Sequence, residues 1–305
     1  MGYIMRDDFF VGLRCQLTGT LPANQQEGFS ALHHALTILG SGYTAKVLLP
    51  LAEQQYAQVF ATSRDPDRHL TDLRPEQRIR FDLTQPETWQ LIPPATDLLW
   101  CFPAVPIALV QQFAETALLQ ARRLVVLGST SAYDDHLSTE YPPSWVDETA
   151  TIDLNKPRVQ GEELLRTSYG AVILMVSGIY GPHRNPIDWI RTGRVARSRK
   201  FVNLIHVEDL AATCLAAIRH GEEGTTYNVS DGTPRTWDEI CETAERRWAV
   251  RSSVSPEPQP MGKRIANRRL CELLKADGVS LRHHDLYQAL EQIEEMTVNE
   301  AGPSR

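Results

Sequence analysis

The chain has no stretch approaching the ~20 consecutive apolar residues of a membrane span, so no membrane helix is expected. Behind Arg6, Asp7 and Asp8 there is no continuous apolar core of a signal peptide, and MGYIMR lacks the Ser or Thr that a myristoylation signal needs. Basic charge is in deficit: the formal net charge is -7, and no dense Lys/Arg run alternates with aromatics, which argues against a nucleic-acid partner. Paired cysteines are missing too. Cys15, Cys101, Cys214, Cys241 and Cys271 are an odd number without CxxC or other ligand spacing, which indicates neither a disulfide frame nor a zinc site and fits a reducing, cytoplasmic setting. The pairs His33–His34 and His283–His284 likewise lack ligand spacing, so no metal is expected. Internal repeats and low-complexity tracts are also absent.

What remains is an ordinary soluble composition, 42% hydrophobic over 305 residues, enough for one large α/β domain or two modest ones. Residues 1–32 show no clear periodicity and are expected to be a poorly ordered extension. From there short apolar runs alternate with helical patterns: ALTIL, QVFAT, RIRF, DLLWCF, RLVVLG and AVILMV read as strands, AKVLLPLAEQQ and IALVQQFAETALLQA as covering helices. Right-handed crossovers then give an α/β fold, a Rossmann-type doubly wound parallel sheet over residues 33–180. Residues 181–295, with a helix at 207–219, a strand TTYNVS and a helix TWDEICETAERRW, form a smaller C-terminal α/β substrate lobe partly interleaved with the first domain. Residues 296–305 read as a frayed tail.

LTILGSGYTAKVLL places Gly40, Gly42 and Ala45 directly after the first strand and at the start of a helix, the context G-x-G-x-x-G/A requires. Gly40 permits the tight turn, Gly42 admits a pyrophosphate to the backbone beside Tyr43, and Ala45 lets helix and strand pack closely. The second strand ends ATSRDPDR. Thr62 and Ser63 stand where NAD would want an acid, and Arg64 follows, a hydroxyl and guanidinium set that suits the 2′-phosphate of NADP better than NAD. Arg64 could equally be a solvated charge paired with Asp65 or Asp67. After the third strand, Asp82 could reach an adenine amino group and Leu83 cover the ring, or Asp82 could cap the helix opening at TQPETW.

VVLGSTSAYDD, SGIYGPHR, IHVEDLAA and YNVSDGTPRTWDEI follow in this order. Together with the glycine loop they resemble the extended short-chain dehydrogenase/reductases, the NAD(P)-dependent epimerase/dehydratase family, and its atypical branch in particular, over about residues 35–290. The resemblance implies a substrate lobe behind the Rossmann domain, a small-molecule substrate such as a nucleotide sugar, and a homodimer. It assigns Ser129 to polarise the reacting substrate oxygen, with Ser131 a second candidate and Tyr133 a packing aromatic. The family's proton-transferring pair is Y-x-x-x-K. Alignment on Gly161 and Glu162 of NKPRVQGEELL puts Leu154 and Arg158 at the two positions. Leucine carries no proton, and arginine can hold a ribose or an anion but is no base near neutral pH.

Lys156 is offset by two residues, roughly 200° around a helix, and is expected to point away from the cofactor. Pro157 suits a first helical turn, with Asn155 or Asp153 as cap, so the helix should start late. Tyr133, Tyr180 or a water held by Ser129 are other conceivable proton carriers. His183 and Arg184 could meet an anionic substrate or be exposed loop residues, and His206 with Asp209 should fix the start of a helix. MGKRIANRRL concentrates Lys263, Arg264, Arg268 and Arg269; the resemblance places distal phosphates there and assigns Lys263 and Arg264 to substrate, although a charge run can also be a solvated face. Two functions follow: an NAD(P)-dependent oxidoreductase or epimerase on a small anionic substrate, or a non-catalytic NADP(H)-binding regulatory or assembly protein.

Overall fold

A computed structural model describes residues 32–136, 138, 140–254 and 260–301. The extension read at 1–32 lies outside the described residues except for Leu32, which opens the first strand.

The first half alternates as its sequence pattern requires. β1 (Leu32–Leu39) leads through the glycine turn to α1 (Tyr43–Ala52), then to β2 (Tyr56–Ser63), the short α2 (Pro66–His69), β3 (Arg78–Arg80) and β4 (Asp97–Trp100). There follow α3 (Ile107–Ala117), β5 (Arg123–Ser129), a two-residue strand β6 (Trp145–Val146), α4 (Pro157–Tyr169) and β7 (Val172–Val176). Then come β8 (Gly178–Tyr180), α5 (Pro186–Arg191), β9 (Phe201–Val202), β10 (Leu204–His206), α6 (Val207–His220) and β11 (Thr226–Val229). The chain closes with β12 (Arg235–Thr236), α7 (Trp237–Trp248), β13 (Arg264–Ile265), α8 (Arg268–Ala276) and α9 (Leu286–Ala301).

Seven strands form one sheet in the order β11-β7-β5-β4-β1-β2-β3, and every pair in it is parallel. The order reverses between β1 and β4, which makes a crevice at the strands' carboxyl ends, the place where doubly wound sheets take ligands. Strands buried on both faces need apolar residues throughout, and β7 is buried at every position. One face packs on α1, α6 and α8 through Leu48, Leu215 and Leu273; the other packs on α3 and α4 through Phe113 and Leu165. A third cluster, built on Ile190, Ile240 and Leu290, is the core of the second lobe.

Two expectations on organisation change. TTYNVS is β11, the edge strand of the main sheet, and the helix following His206 covers that sheet, so the chain returns to the first domain after entering the second. This is an exchange between distant segments that a local pattern does not encode. In the stretch read as the tail, 296–305, α9 continues to Ala301, while 302–305 lie outside the described residues.

Two helix ends bear on the site. α4 begins with Pro157 at its first position, as expected, but its N-cap is Lys156 in an extended conformation, with no side-chain cap bond. Asn155 and Asp153 do not cap it; the Asp153 carboxylate accepts from Asn155 N at 3.0 Å. Further along, a Cβ on Gly161 would fall 2.0 Å from the Ala104 carbonyl oxygen, so α4 approaches the loop after β4 to a distance that only glycine permits.

Candidate functional site

The turn after β1 carries the geometry its glycines foretell. Gly40 has φ +91°, where a side chain would be strained, and a Cβ there would also meet Phe102 at 3.1 Å. Gly42 is the N-cap of α1, is exposed, and has nothing within 4 Å of an added Cβ, so its backbone faces open space. Ala45 is fully buried against the sheet. The first N–H groups of α1 thus open onto the crevice, with the positive end of the helix dipole behind them.

From this turn a cleft of about 950 Å³ runs across β2 to the loop after β3, lined by Gly40, Gly42, Thr62, Ser63, Arg64, Asp82 and Leu83. Lys46, Arg68 and His69 line it as well. Sequence reasoning stopped at Arg64 and missed all three, although SRDPDRH carries Arg68 and His69 a few residues on. The Ser63 hydroxyl lies 2.9 Å from His69 Nδ1, within the same cleft lining as Lys46, Arg64 and Arg68. Thr62 was expected to face a phosphate; instead its buried hydroxyl accepts from Gly40 N at 2.9 Å and ties the glycine turn to β2.

Asp82 does not cap the helical turn at Pro86–Leu91, whose N-cap is Gln85. Its carboxylate accepts from Thr84 N and Oγ1, which hold the group below its ordinary pKa, and it lines the cleft in that pose.

A second cavity, about 240 Å³, lies between α1, the ends of β4 and β5, and the loop after β8. Tyr43, Cys101, Phe102, Gly128, Arg158 and Arg184 line it. Tyr43 donates from its hydroxyl to the Pro182 carbonyl at 2.8 Å, joining the glycine turn to the second lobe; burial pushes its pKa up. Arg184 lies 5.7 Å above the Tyr43 ring, while its neighbour His183 is exposed at φ +59°.

Ser129 ends β5 and Ser131 lies in the helical turn that follows; their hydroxyl oxygens are 3.4 Å apart, and Arg158 Nη2 donates to Ser131 Oγ at 2.9 Å. The structure therefore gathers all three expected residues. Behind them, Arg158 Nε is 3.1 Å from Glu162 Oε1, one turn along α4. Glu162 is almost fully buried and neither of its oxygens accepts a hydrogen bond; burial, only partly countered by Arg158, raises its pKa to about 7.

Lys156 lines neither of these two cavities. The 200° offset holds only inside a helix, and Lys156 precedes it; its extended backbone turns the side chain inward to the end of β5. Nζ donates to the Ser131 carbonyl at 2.6 Å and to Asp134 Oδ2 at 2.5 Å. The other oxygen of Asp134 accepts from Lys263 Nζ at 2.5 Å, so one carboxylate bridges two ammonium groups from the two lobes. Burial opposes the charge on Asp134, but the two lysines more than offset this and its pKa is lowered; burial also lowers that of Lys263.

The basic run at 263–269 does not act as one cluster. Arg264 donates to the Pro143 carbonyl at 2.6 Å and lies over the Trp145 ring, Arg268 is paired with Glu272, and Arg269 sits 4.0 Å from Glu148. The spare tyrosines are also accounted for. Tyr133 is buried and donates to Asn228 Oδ1 at 3.0 Å, and Tyr180 is wholly buried against His206.

His206 accepts from Glu208 N and caps the start of α6, while Asp209 accepts from Arg282 N and His283 N and ties that distant loop to the helix. His206, Glu208 and His283 converge, a grouping that separation along the chain concealed. The two rings stack at 3.7 Å and Glu208 Oε2 lies 2.8 Å from His283 Nε2. Stacked imidazoles direct their nitrogens side by side rather than at one ion, so the group reads as a hydrogen-bonded cluster.

No family model matches the chain, and no curated protein does. Solved structures do match. A short-chain dehydrogenase/reductase superfamily protein from Agrobacterium tumefaciens with bound NAD is 15% identical at TM-score 0.70, covering 88% of this chain and 98% of that one. A UDP-glucuronic acid 4-epimerase mutant from Bacillus cereus, in complex with UDP-4-deoxy-4-fluoro-glucuronic acid and NAD, is 15% identical at TM-score 0.64, covering 86% and 99%. A human epimerase family protein with NADPH is 16% identical at TM-score 0.61, covering 86% and 99%. The chain shares its fold with these short-chain dehydrogenase/reductase and epimerase structures, the fold the ordered motifs implied. Among the described residues no helix is long and apolar enough to cross a membrane.

Proposed function

We propose that the protein binds NADP(H) and acts as a reductase or epimerase on a small anionic substrate of the nucleotide-sugar kind. The observation that carries this reading is the cleft that starts at the glycine turn and ends among Ser63, Arg64, Arg68 and His69. Amides at the start of α1 suit a diphosphate, and the guanidinium groups with the Ser63 hydroxyl suit a 2′-phosphate. Asp82 and Leu83 would border the adenine, and Arg158 would hold the second ribose from the smaller cavity. A bound nicotinamide dinucleotide supplies or accepts a hydride.

Arg184, reaching the same cavity as Arg158, favours an anionic substrate, and Ser129 beside Ser131 gives its reacting oxygen a hydroxyl partner. The epimerase from Bacillus cereus, a fold neighbour, carries a nucleotide-sugar analogue, which is consistent with this class.

Native mass spectrometry of the purified protein tests the reading. A co-purified mass equal to NADP(H) supports it; protein that emerges without ligand and takes up no dinucleotide on addition refutes it.

A further inference from the structure

We infer that Glu162 governs the charge of the coenzyme site through Arg158, taking up a proton from solvent when the diphosphate enters the cavity that Arg158 lines; this rests on the cofactor reading above. Glu162 and Arg158 stand one turn apart on α4, with Arg158 Nε 3.1 Å from Glu162 Oε1. The guanidinium lines the smaller cavity together with Gly42, Tyr43 and Thr44, the cap and first residues of α1, whose amides suit the diphosphate. Nη2 of the same guanidinium holds Ser131 Oγ, so Glu162 acts on this cavity through Arg158 as a positioning residue. Its carboxyl group occupies a notch that β5 leaves for it. A Cβ on Gly128 would fall 2.9 Å from Oε2, and neither oxygen accepts a hydrogen bond from the described residues.

A buried carboxylate beside one cation is balanced between two forms. Burial favours the neutral acid, Arg158 favours the ion, and burial is the larger effect, which raises the pKa to about 7. A diphosphate on the α1 amides brings its negative charge into the cavity that the guanidinium lines and competes with Glu162 for that cation. Like charge disfavours the ion further, so Glu162 takes a proton and the charge of Arg158 is left to the coenzyme. The other charged groups around the pair do not replace this coupling. On α4, Glu163 and Arg166 hold each other at 2.6 Å. Glu148, from the loop before α4, and Arg269 of α8 lie 4.0 Å apart along the neighbouring cavity of about 490 Å³ that Glu162 also lines. Tyr133 there donates to Asn228, and β5 and β7 meet the carboxyl group with the uncharged Gly128 and Ile173. Arg184 shares the cavity of Arg158 and adds to its pull on an anion.

The sign of the effect follows. Affinity for the coenzyme is highest where Glu162 is protonated before binding, and it falls as pH rises through about 7. Glu162→Gln keeps the shape and stays neutral. It should match the parent in NADP+ affinity at about pH 6 and bind roughly threefold to tenfold more tightly at about pH 9, a gain that a merely structural role does not give. Calorimetry in two buffers of different ionisation enthalpy should show the parent taking up more protons on binding NADP+ than the variant. In protein labelled with 13C at glutamate carboxyl groups, the resonance lost in Glu162→Gln should titrate at higher pH once NADP+ is bound.

Affinity of Glu162→Gln equal to or weaker than the parent's at about pH 9, equal proton uptake by the two proteins, or a Glu162 resonance that titrates alike in free and bound protein overturns the inference and leaves the cofactor reading intact. Absence of NADP+ binding at every pH overturns both.

Discussion

Gly40 N donates to Thr62 Oγ1 at 2.9 Å, so the turn after the first strand is anchored to the end of the second. The hydroxyl is buried, and Thr62→Val would leave the Gly40 amide without that acceptor at nearly constant shape. The expected cost is about 1–3 kcal/mol in denaturant unfolding, together with weaker dinucleotide binding. Unchanged stability and affinity would mean the turn holds its shape without this bond.

Two glycines should behave in opposite ways. Gly42→Ala adds a methyl group to open space at φ -76°, so unfolding free energy should move by no more than about 1 kcal/mol while NADP(H) binding is lost. Gly161→Ala drives a Cβ to 2.0 Å from the Ala104 carbonyl oxygen, and backbone on both sides leaves little to yield. Its cost should reach or exceed about 3 kcal/mol, the upper end for overpacking, or prevent folding outright. Chemical denaturation and calorimetry on the pair separate the ligand-facing glycine from the packing one.

Glu162 gives a pH dependence with a definite sign. Its pKa rises from 4.5 to about 7 on folding because burial disfavours the carboxylate, with Arg158 countering only in part. The folded state therefore binds more protons than the unfolded state between these values, and stability falls as pH rises through that window. Below it the penalty is absent; above it the penalty is complete, on the order of 1–3 kcal/mol. Glu162→Gln should stabilise the protein near about pH 8 and have little effect near about pH 4. Parallel unfolding curves for the two proteins at both pH values would contradict the assignment.

Arg64 and Arg68 should set cofactor choice. Either one changed to Ala should weaken NADP+ by roughly 1.5–3 kcal/mol and leave NAD+ nearly unchanged, because only NADP+ carries the 2′-phosphate that a guanidinium would meet. Equal weakening of both cofactors would place these arginines elsewhere along the dinucleotide.

The parts legible in the sequence are those where neighbours in the chain are neighbours in space. Gly40, Gly42 and Ala45 announce a strand, a turn and a helix within one short stretch, and Pro157 marks where α4 begins. Gly161 was legible as a close-packing residue, although nothing local named Ala104 as its partner. The partners of Lys156 were not legible, because a helical projection does not reach a residue that precedes the helix. The Asp134 bridge to Lys263, the stack of His206 on His283 and the entry of β11 into the main sheet join distant segments, and periodicity is silent about such pairings. Lys263 and Arg264 adjoin in sequence, yet Lys263 precedes β13 and Arg264 opens it, and their partners are Asp134 and the Pro143 carbonyl.

Isothermal titration calorimetry of the purified protein with NADP+ and with NAD+ tests the central claim most directly. The account predicts saturable binding of NADP+ at one site per chain, tighter than NAD+, with Arg64→Ala removing the difference. Absence of binding heat for both, confirmed by a crystal soak in which no dinucleotide lies along Gly40, Gly42 and Ser63, would contradict it.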